Sequence, residues 1–321
     1  MKVAHWTMKN GSGMHRMAEE ISAQETKMGL DSLCLDGADP KESADGFNAD
    51  IHVVHTHLPD GLADRRIKKV FVAHGTPESN FRSAINAMSI GVHGFSDPFM
   101  ASLYMIRSSD AVVTFWPRHK EIWKSMMDKR SVVHCIPMGI DKTKWSPGDS
   151  RGKYAGSPSL LTAENCHEIK WPLDLFIAMS WVFDAVPEAR LHVIYLPLDQ
   201  CRWWGALTFN NGTAYRSFIS SVAFSKEDLA NAFRSVDYYV GLVRYGDYNR
   251  ICLEAKASGC RVISYRGNPY ADYWLDEGDQ RMIAAQMTLI LQGAVSPREC
   301  PEVPDISETA SAMMKIYEGI A

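Results

Sequence analysis

The chain has 321 residues, of which 46% are hydrophobic and 22% are charged, and its formal net charge at pH 7 is −4. A chain of this length exceeds the size that one hydrophobic core usually serves, so we expect two domains. The slightly acidic balance argues against bulk, sequence-independent binding to nucleic acid.

Short apolar runs alternate with segments of helical period along the whole chain. The predicted strands are short, rich in β-branched residues and bounded by Gly, Pro or polar clusters: Val3–Trp6, Ile51–His55, Val70–Ala73, Ala111–Phe115, Val132–Ile136, Leu160–Thr162, Leu191–Leu196, Tyr238–Val243 and Val262–Tyr265. The predicted helices are Met14–Met28, Pro98–Ser108, Arg118–Met127, Pro172–Val186, Lys226–Val236, Arg250–Ser258 and Asp279–Gln292. This alternation predicts α/β domains whose parallel sheets are covered by helices on both faces.

A linker is predicted after Ile140, where the sequence is rich in Gly, Pro, Ser and charge and has no periodicity. We therefore predict two Rossmann-like domains, residues 1–145 and 146–321, with the last helix packing back on the first domain as an alternative. Two such domains are expected to face each other across a cleft, with ligands beyond the carboxyl ends of the strands.

The termini and the cysteines indicate a cellular compartment. The first residues enter a strand-like segment directly and no run of 18 apolar residues follows, so we expect neither a signal peptide nor a transmembrane helix. Seven cysteines are scattered without any CxxC pair, which favours neither a disulfide framework nor a zinc site. We expect a cytoplasmic enzyme.

A glycine-rich turn opens the first predicted helix at Gly11, Ser12 and Gly13. Such a turn presents backbone N–H groups to an anion, although an ordinary strand-to-helix turn has the same composition. The spacing is not GxGxxG and no acidic residue follows at the distance that a dinucleotide site needs, so nicotinamide binding is disfavoured.

Three histidines follow or end predicted strands. His55 and His57 stand two positions apart and share a face, but no third ligand has convincing spacing, so we expect no metal. His74 closes the next strand and is followed by Gly75, which places an imidazole where α/β proteins contact their substrates. We predict that His74 is functional and that His55 and His57 are structural supports.

A short helix after the strand Tyr238–Val243 carries Glu254 about one turn inside it. A carboxylate near a cleft accepts hydrogen bonds from two ribose hydroxyls, whereas the alternative is an exposed helix glutamate. Arg250 and the first N–H groups of the same helix are candidates for binding a diphosphate.

The stretch from Ser225 to Tyr265 resembles the donor-binding region of family-four GT-B glycosyltransferases. The family's LEAxAxG helix corresponds to residues 253–259, and the strand that follows it contains Val262 and Ile263. Further motifs fall in the family's order along almost the whole chain: Gly11–Gly13, Asp50–His57, His74–Gly75, Ser109–Val113, Val133–Asp141 and Lys170. Their order is more specific than any single motif.

The resemblance implies the GT-B fold and transfer of a sugar from a UDP- or GDP-type nucleotide-diphosphate sugar to an acceptor hydroxyl. It further implies retention of configuration without a metal or other cofactor. In the catalytic roles that it implies, Lys170 and Arg250 stabilise the leaving diphosphate and His74 contacts the transferred sugar or the acceptor, while Glu254 binds the ribose. The other donor-binding residues that it implies are Gly11, Ser12, Gly13, Asn165, Asp247, Tyr248 and Asn249.

Two positions depart from the family pattern. The first of the family's two motif glutamates corresponds to Gly246, with Asp247 beside it, and Asn165 stands where the family has an arginine. The identity of the donor sugar is therefore left open. Whether the chain has kept the transferase activity is also left open.

The acceptor is also left open. Two long segments, Glu78–Ser96 and Pro197–Tyr215, are candidates for recognising it; the second contains Trp203 and Trp204, which either stack on a base or sugar or pack beneath a loop. No basic amphipathic helix supports a lipid acceptor. A small molecule, a glycan and, by family analogy, a modified nucleic-acid base remain, the last suiting a viral enzyme in a host cell. An epimerase-like GT-B enzyme and a non-catalytic sugar-binding protein are the alternative functions.

Overall fold

The computed structural model describes residues 1–8, 13–39, 41–42, 46, 48–55, 62, 67–75, 108–126, 132–149, 154–163, 173–194, 219–222, 229–243 and 250–321. These residues divide into two compact units. Unit 1 comprises Met1–Asp141 with Pro304–Ala321, and unit 2 comprises Lys142–Val303. The division after Asp141 falls shortly before the boundary at residue 145 that the sequence predicts, and the last helix belongs to unit 1.

Each unit contains a six-stranded parallel sheet. The strands of unit 1 are β1 Lys2–Thr7, β2 Asp31–Asp36, β3 Ile51–Val54, β4 Lys68–Val72, β5 Ala111–Thr114 and β6 Val132–Cys135, in the order β2-β1-β3-β4-β5-β6. Those of unit 2 are β7 Ser159–Thr162, β8 Arg190–Ile194, β9 Ile219–Val222, β10 Tyr238–Gly241, β11 Arg261–Tyr265 and β12 Tyr273–Leu275, in the order β12-β11-β10-β7-β8-β9. The predicted α/β class with parallel sheets is confirmed.

The helices with defined bounds are α1 Gly13–Lys27, α2 Pro117–Met126, α3 Leu173–Ala185, α4 Leu229–Arg234, α5 Arg250–Ala257, α6 Gln280–Leu291 and α7 Ile306–Ile320. The predicted helix Pro98–Ser108 and the candidate acceptor segments Glu78–Ser96 and Pro197–Tyr215 lie outside the described residues, except for Ser108. No described helix has the length and apolar character needed to cross a membrane.

The strand order of each sheet reverses once. In unit 1 the chain runs from β1 outward to β2 and then returns to place β3 on the other side of β1; in unit 2 it runs outward from β7 and later returns to place β10 beside β7. Ligands of such sheets bind beyond the carboxyl ends of the strands at the point of reversal. Ligand sites are therefore expected beyond the carboxyl ends of β1 and β3 in unit 1 and of β7 and β10 in unit 2.

The central strands are buried on both faces, as their apolar sequences require. Every residue of β3, β5, β7 and β10 is buried. In unit 2, the almost wholly apolar α3 packs with α6 on this sheet, and Phe176, Met179 and Ile283 belong to one core. This packing covers one face of the sheet of unit 2 with apolar side chains.

Helix α7 returns to unit 1 through a close backbone approach. Asp305 caps α7 and forms a capping box with Glu308. The N–H of Gly139 donates to Thr309 Oγ1 at 2.7 Å, and the Thr309 hydroxyl donates to the carbonyl of Pro137 at 2.9 Å. A Cβ at Gly139 would overlap the carbonyl of Asp305, so glycine is required where α7 begins.

Candidate functional site

Helix α5 begins over the carboxyl end of β10, at the point of reversal in unit 2. Gly241 is the last residue of β10, and a Cβ there would lie only 3.0 Å from Cys252 Sγ in the first turns of α5. The hydroxyl of Ser264 in β11 donates to the carbonyl of Gly241 at 2.9 Å. The start of α5 is therefore held tightly against the end of its strand.

Arg250 and Glu254 lie one turn apart on α5 and form an ion pair. Arg250 Nε is 3.3 Å from Glu254 Oε1, and the two side chains are only 9% and 1% exposed. A carboxylate buried to this degree needs a charged or hydrogen-bonded partner, because leaving water is costly for a charge. The alternative of an exposed helix glutamate is therefore wrong.

The glycine of the LEAxAxG motif ends α5. Gly259 has φ of +87°, a conformation that favours glycine. Its N–H donates to the carbonyl of Lys256 at 3.0 Å, and the N–H of Cys260 donates to the carbonyl of Ala255 at the same distance. Such an ending satisfies the last carbonyls of a helix and turns the chain into the next strand. Gly259 therefore has a structural role at the end of the helix. Helix termination does not explain the burial of Glu254.

A second polar cluster lies in unit 1 and consists of Glu25, His5, His55 and His74, which we call the histidine chain. His5 Nε2 is 2.8 Å from Glu25 Oε2, and His5 Nδ1 is 3.0 Å from His55 Nε2. His55 Nδ1 is in turn 3.0 Å from His74 Nε2. The ring nitrogens therefore face one another in pairs. The chain of contacts runs from α1 across β1 and the end of β3 to the end of β4.

The inner end of the histidine chain is fully buried, whereas His74 is only partly buried. Two further donors reach Glu25: the Ser32 hydroxyl lies 2.7 Å from Oε2 and the Tyr317 hydroxyl lies 2.8 Å from Oε1. Burial opposes ionisation of Glu25, but the charge and hydrogen bond of His5 and the bonds from Ser32 and Tyr317 lower its pKa below the usual value. Glu25 is therefore an ionised carboxylate inside the core.

His55 is neutral at pH 7. Burial, followed by the charges of His74 and His5, lowers the pKa of His55 well below its usual value. His55 was predicted to be a structural support. In the structure its two ring nitrogens contact the rings of His5 and His74. His57 lies outside the described residues. Among the residues that the structure describes, no group of three or more His, Cys, Asp or Glu side chains is arranged to hold a metal ion.

The structure describes four of the predicted site residues. Arg250 and Glu254 come together in unit 2, while Gly13 begins α1 and His74 ends the histidine chain in unit 1. The remaining predicted site residues lie outside the described part of the chain: Gly11, Ser12, Asn165, Lys170, Asp247, Tyr248 and Asn249. His5 and Glu25 were not among the site residues predicted from the sequence. The available signal was a histidine inside the apolar run of β1.

Solved structures with the same fold are glycosyltransferases. Sucrose-phosphate synthase from Thermosynechococcus elongatus matches with a TM-score of 0.75 at 12% identity, over 99% of this chain and 98% of that one. HepE from Anabaena, solved with UDP and glucose, matches with a TM-score of 0.67 at 10% identity, over 99% of both chains. WaaG, a glycosyltransferase of lipopolysaccharide biosynthesis, matches with a TM-score of 0.65 at 12% identity, over 98% and 95% of the two chains.

These similarities show that the chain has the GT-B fold of glycosyltransferases. No protein-family model matches the sequence, and no curated protein is significantly similar to it. Membership of family four stays a prediction from the motifs.

Proposed function

We propose that the protein is a glycosyltransferase that binds a nucleotide-diphosphate sugar at the start of α5. The observation that carries this proposal is the buried Arg250–Glu254 pair, held beyond the end of β10 by the close contact of Gly241 with Cys252. The solved complex of HepE, a protein of the same fold, with UDP and glucose supports a donor of this chemistry.

The two charged groups of α5 suit the two parts of a nucleotide diphosphate. Glu254 offers carboxylate oxygens that accept hydrogen bonds from neighbouring hydroxyls, which matches the diol of a ribose. Arg250 and the first N–H groups of α5 offer donors and positive charge, which matches a diphosphate. A buried pair suits this role because a low local dielectric strengthens each bond to the ligand.

Cleavage of the sugar–phosphate bond leaves negative charge on the diphosphate. Arg250 and Lys170 are assigned to stabilise that charge, and preorganised groups of this kind often provide the largest catalytic term. His74 is assigned to the transferred sugar or the acceptor hydroxyl, in keeping with its place beyond β4. We further propose that Gly11, Ser12, Gly13, Asn165, Asp247, Tyr248 and Asn249 contact the donor, as the resemblance implies. Transfer with retention of configuration and without a metal is part of the same proposal. The cytoplasmic location stays a prediction.

Donor binding is the property to measure first, because it requires no knowledge of the acceptor. The purified protein is titrated calorimetrically with UDP, GDP and their sugar derivatives. We expect one nucleotide series to bind, and Glu254→Gln to weaken its affinity about 10- to 100-fold, as for loss of hydrogen bonds to a charged group. Glu277→Ala, which changes an exposed glutamate of the same unit, is the control and should leave affinity unchanged.

Two results would contradict the proposal. Absence of binding and of a melting shift with every nucleoside diphosphate and nucleotide sugar overturns the transferase function. Wild-type affinity in a folded Glu254→Gln protein overturns the role of Glu254. Once a donor is known, activity in the presence of EDTA tests independence from metals, and the anomeric proton coupling of the product tests retention.

A further inference from the structure

A polar cleft lies at the amino ends of the strands of unit 2, whereas α5 begins over the carboxyl end of β10. Ser159, Tyr238 and Arg261, the first residues of β7, β10 and β11, line this cleft. Its volume of about 590 Å³ is within the range of small-molecule sites. Pro147 and Gly148 form another part of the wall, so the cleft lies wholly within unit 2.

Helix α5 runs from the proposed donor site to this cleft. Arg250 is its first residue, whereas Ser258 and Gly259 follow its last residue and line the cleft. The helix has eight residues, and a rise of about 1.5 Å for each places its two ends about 12 Å apart. The cleft is therefore separate from the site at which Arg250 begins the helix.

Ser258 carries a buried hydroxyl group that is not paired. The residue is 2% exposed, and its Oγ has no hydrogen-bond partner in the part of the chain that the structure describes. The N–H of Ser258 donates to the carbonyl of Glu254 at 3.1 Å, so the backbone donor is satisfied although the hydroxyl is not. A buried hydroxyl without a partner costs free energy, and such groups are few in folded proteins. A ligand in the cleft would provide the missing partner.

Two charged side chains of the cleft keep atoms that are free to bind a ligand. Arg234 donates from Nε to a carbonyl of the linker at 2.8 Å and from Nη1 to Asn231 Oδ1 at 3.1 Å, which leaves Nη2. Asp237 accepts from the N–H and the hydroxyl of Ser159 at Oδ2, at 2.8 and 3.0 Å, which leaves Oδ1. Among the described residues, the cleft therefore offers both a donor and an acceptor.

The charges around the cleft nearly cancel. Arg234 and Arg261 contribute two positive charges, and Asp237 contributes one negative charge. Helices α4 and α5 both end at the cleft, and the carboxyl end of a helix carries about half a negative charge. An anion would meet Asp237 and the two helix ends, and a cation would meet the two guanidinium groups. The cleft is therefore suited to an uncharged ligand.

We propose that the cleft binds an uncharged, polyhydroxylated ligand of the size of a mono- or disaccharide, with Ser258 Oγ, Arg234 Nη2 and Asp237 Oδ1 as its polar contacts. A sugar hydroxyl both donates and accepts, so this class of ligand satisfies all three atoms. The ring of Tyr154, whose centroid lies 4.9 Å from that of His192, adds an aromatic surface to the wall. Sugar binding here is independent of the proposed function, because the cleft is separate from the donor site.

Saturation-transfer nuclear magnetic resonance of the whole protein with maltose tests this site, and titration gives the affinity. Ser258→Ala should weaken the affinity about 5- to 10-fold, as for loss of one hydrogen bond. Its melting temperature should stay equal or rise, because an unpaired hydroxyl is removed. No saturation transfer in the wild type, or unchanged affinity in Ser258→Ala, overturns the proposal.

Asp237→Asn tests the balance of charge. Asparagine keeps an oxygen for Ser159 but replaces the second oxygen by a donor, so maltose should bind more weakly and glucose 6-phosphate more tightly than in the wild type. Asp276→Asn, which alters an exposed carboxylate outside the cleft, should change neither affinity. Tighter binding of inorganic phosphate than of maltose by the wild type overturns the class of ligand.

Competition separates the cleft from the donor site. An excess of UDP or GDP should leave the maltose signal unchanged, and displacement of maltose by either nucleotide overturns the location in the cleft. Failure of every nucleotide to bind would instead overturn the proposed function and leave the result with maltose standing.

Discussion

The hydroxyl of Tyr317 donates a hydrogen bond to Oε1 of Glu25 at 2.8 Å, across 292 positions of the chain. Glu25 belongs to α1 and Tyr317 to α7, and both side chains are fully buried. His5 and Ser32 bind the other oxygen of the carboxylate. Helix α7 therefore supplies a donor that no residue near Glu25 in the sequence provides.

Replacement of Tyr317 by Phe should destabilise unit 1 by about 1–3 kcal/mol, because a buried carboxylate oxygen loses its donor from α7. Urea unfolding followed by circular dichroism measures the change. Tyr265→Phe is the matched variant, since it removes a buried hydroxyl that donates to Asp174 Oδ2 at 2.8 Å in unit 2. A Tyr317→Phe protein that unfolds at the wild-type urea concentration would show that this bond contributes nothing.

Replacement of Gly139 by Ala should weaken the packing of the start of α7 against the segment that contains Gly139. The new methyl group would overlap the carbonyl of Asp305, so we expect a loss of about 2–4 kcal/mol in the free energy of unfolding, in the range of strained and overpacked sites. Gly319→Ala is the control in α7 itself, where a Cβ meets nothing within 4 Å. It should stabilise by up to about 1 kcal/mol through helix propensity. Equal melting temperatures of the two variants would refute the close approach.

The pH dependence of stability should have a component from His119. This side chain is 1% exposed, and burial, with a smaller contribution from the charge of Arg118, lowers its pKa from 6.5 to about 4. Below pH 6.5 the unfolded chain binds a proton that the folded chain refuses, so stability present above pH 6.5 is lost as the pH falls towards 4.

In the His119→Phe protein, the difference in unfolding free energy between pH 7.5 and pH 4.5 should be smaller than in the wild type by about 2–3 kcal/mol. Urea titrations at the two pH values measure it. His55 has a lowered pKa too and contributes in the same direction, so part of the wild-type dependence should remain. An unchanged difference would show that His119 is protonated in the folded protein at pH 4.5.

The central strands of the two sheets were predicted well from the sequence, whereas most of the edge strands were not. Strands such as β3 and β5 consist of buried apolar residues, which local composition reveals. The predictions missed β2, β9 and β12. Strand β2 is the edge strand DSLCLD with a mixed burial pattern, and β12 has only three residues. At such positions the partner strand decides the conformation, and that information is not local.

The two polar clusters also differ in how far local sequence predicts them. Arg250 and Glu254 were predicted because residues four apart share a helix face, although their burial depends on packing against β10. The histidine chain escaped prediction because Glu25, His5, His55 and His74 come from four separate elements. Their ring nitrogens and the carboxylate come within hydrogen-bond distance through the register of β1 against β3 and of β3 against β4, together with the packing of α1.

The return of α7 has a consequence for biosynthesis. A ribosome makes residues 1–141 first, yet this half of the chain lacks α7 until residues 304–321 leave the exit tunnel, whereas residues 142–303 are complete before then. During translation the unit that is begun first is finished last. Until that moment the face of α1 that α7 covers stays open, and a nascent chain in this condition is the kind that chaperones bind.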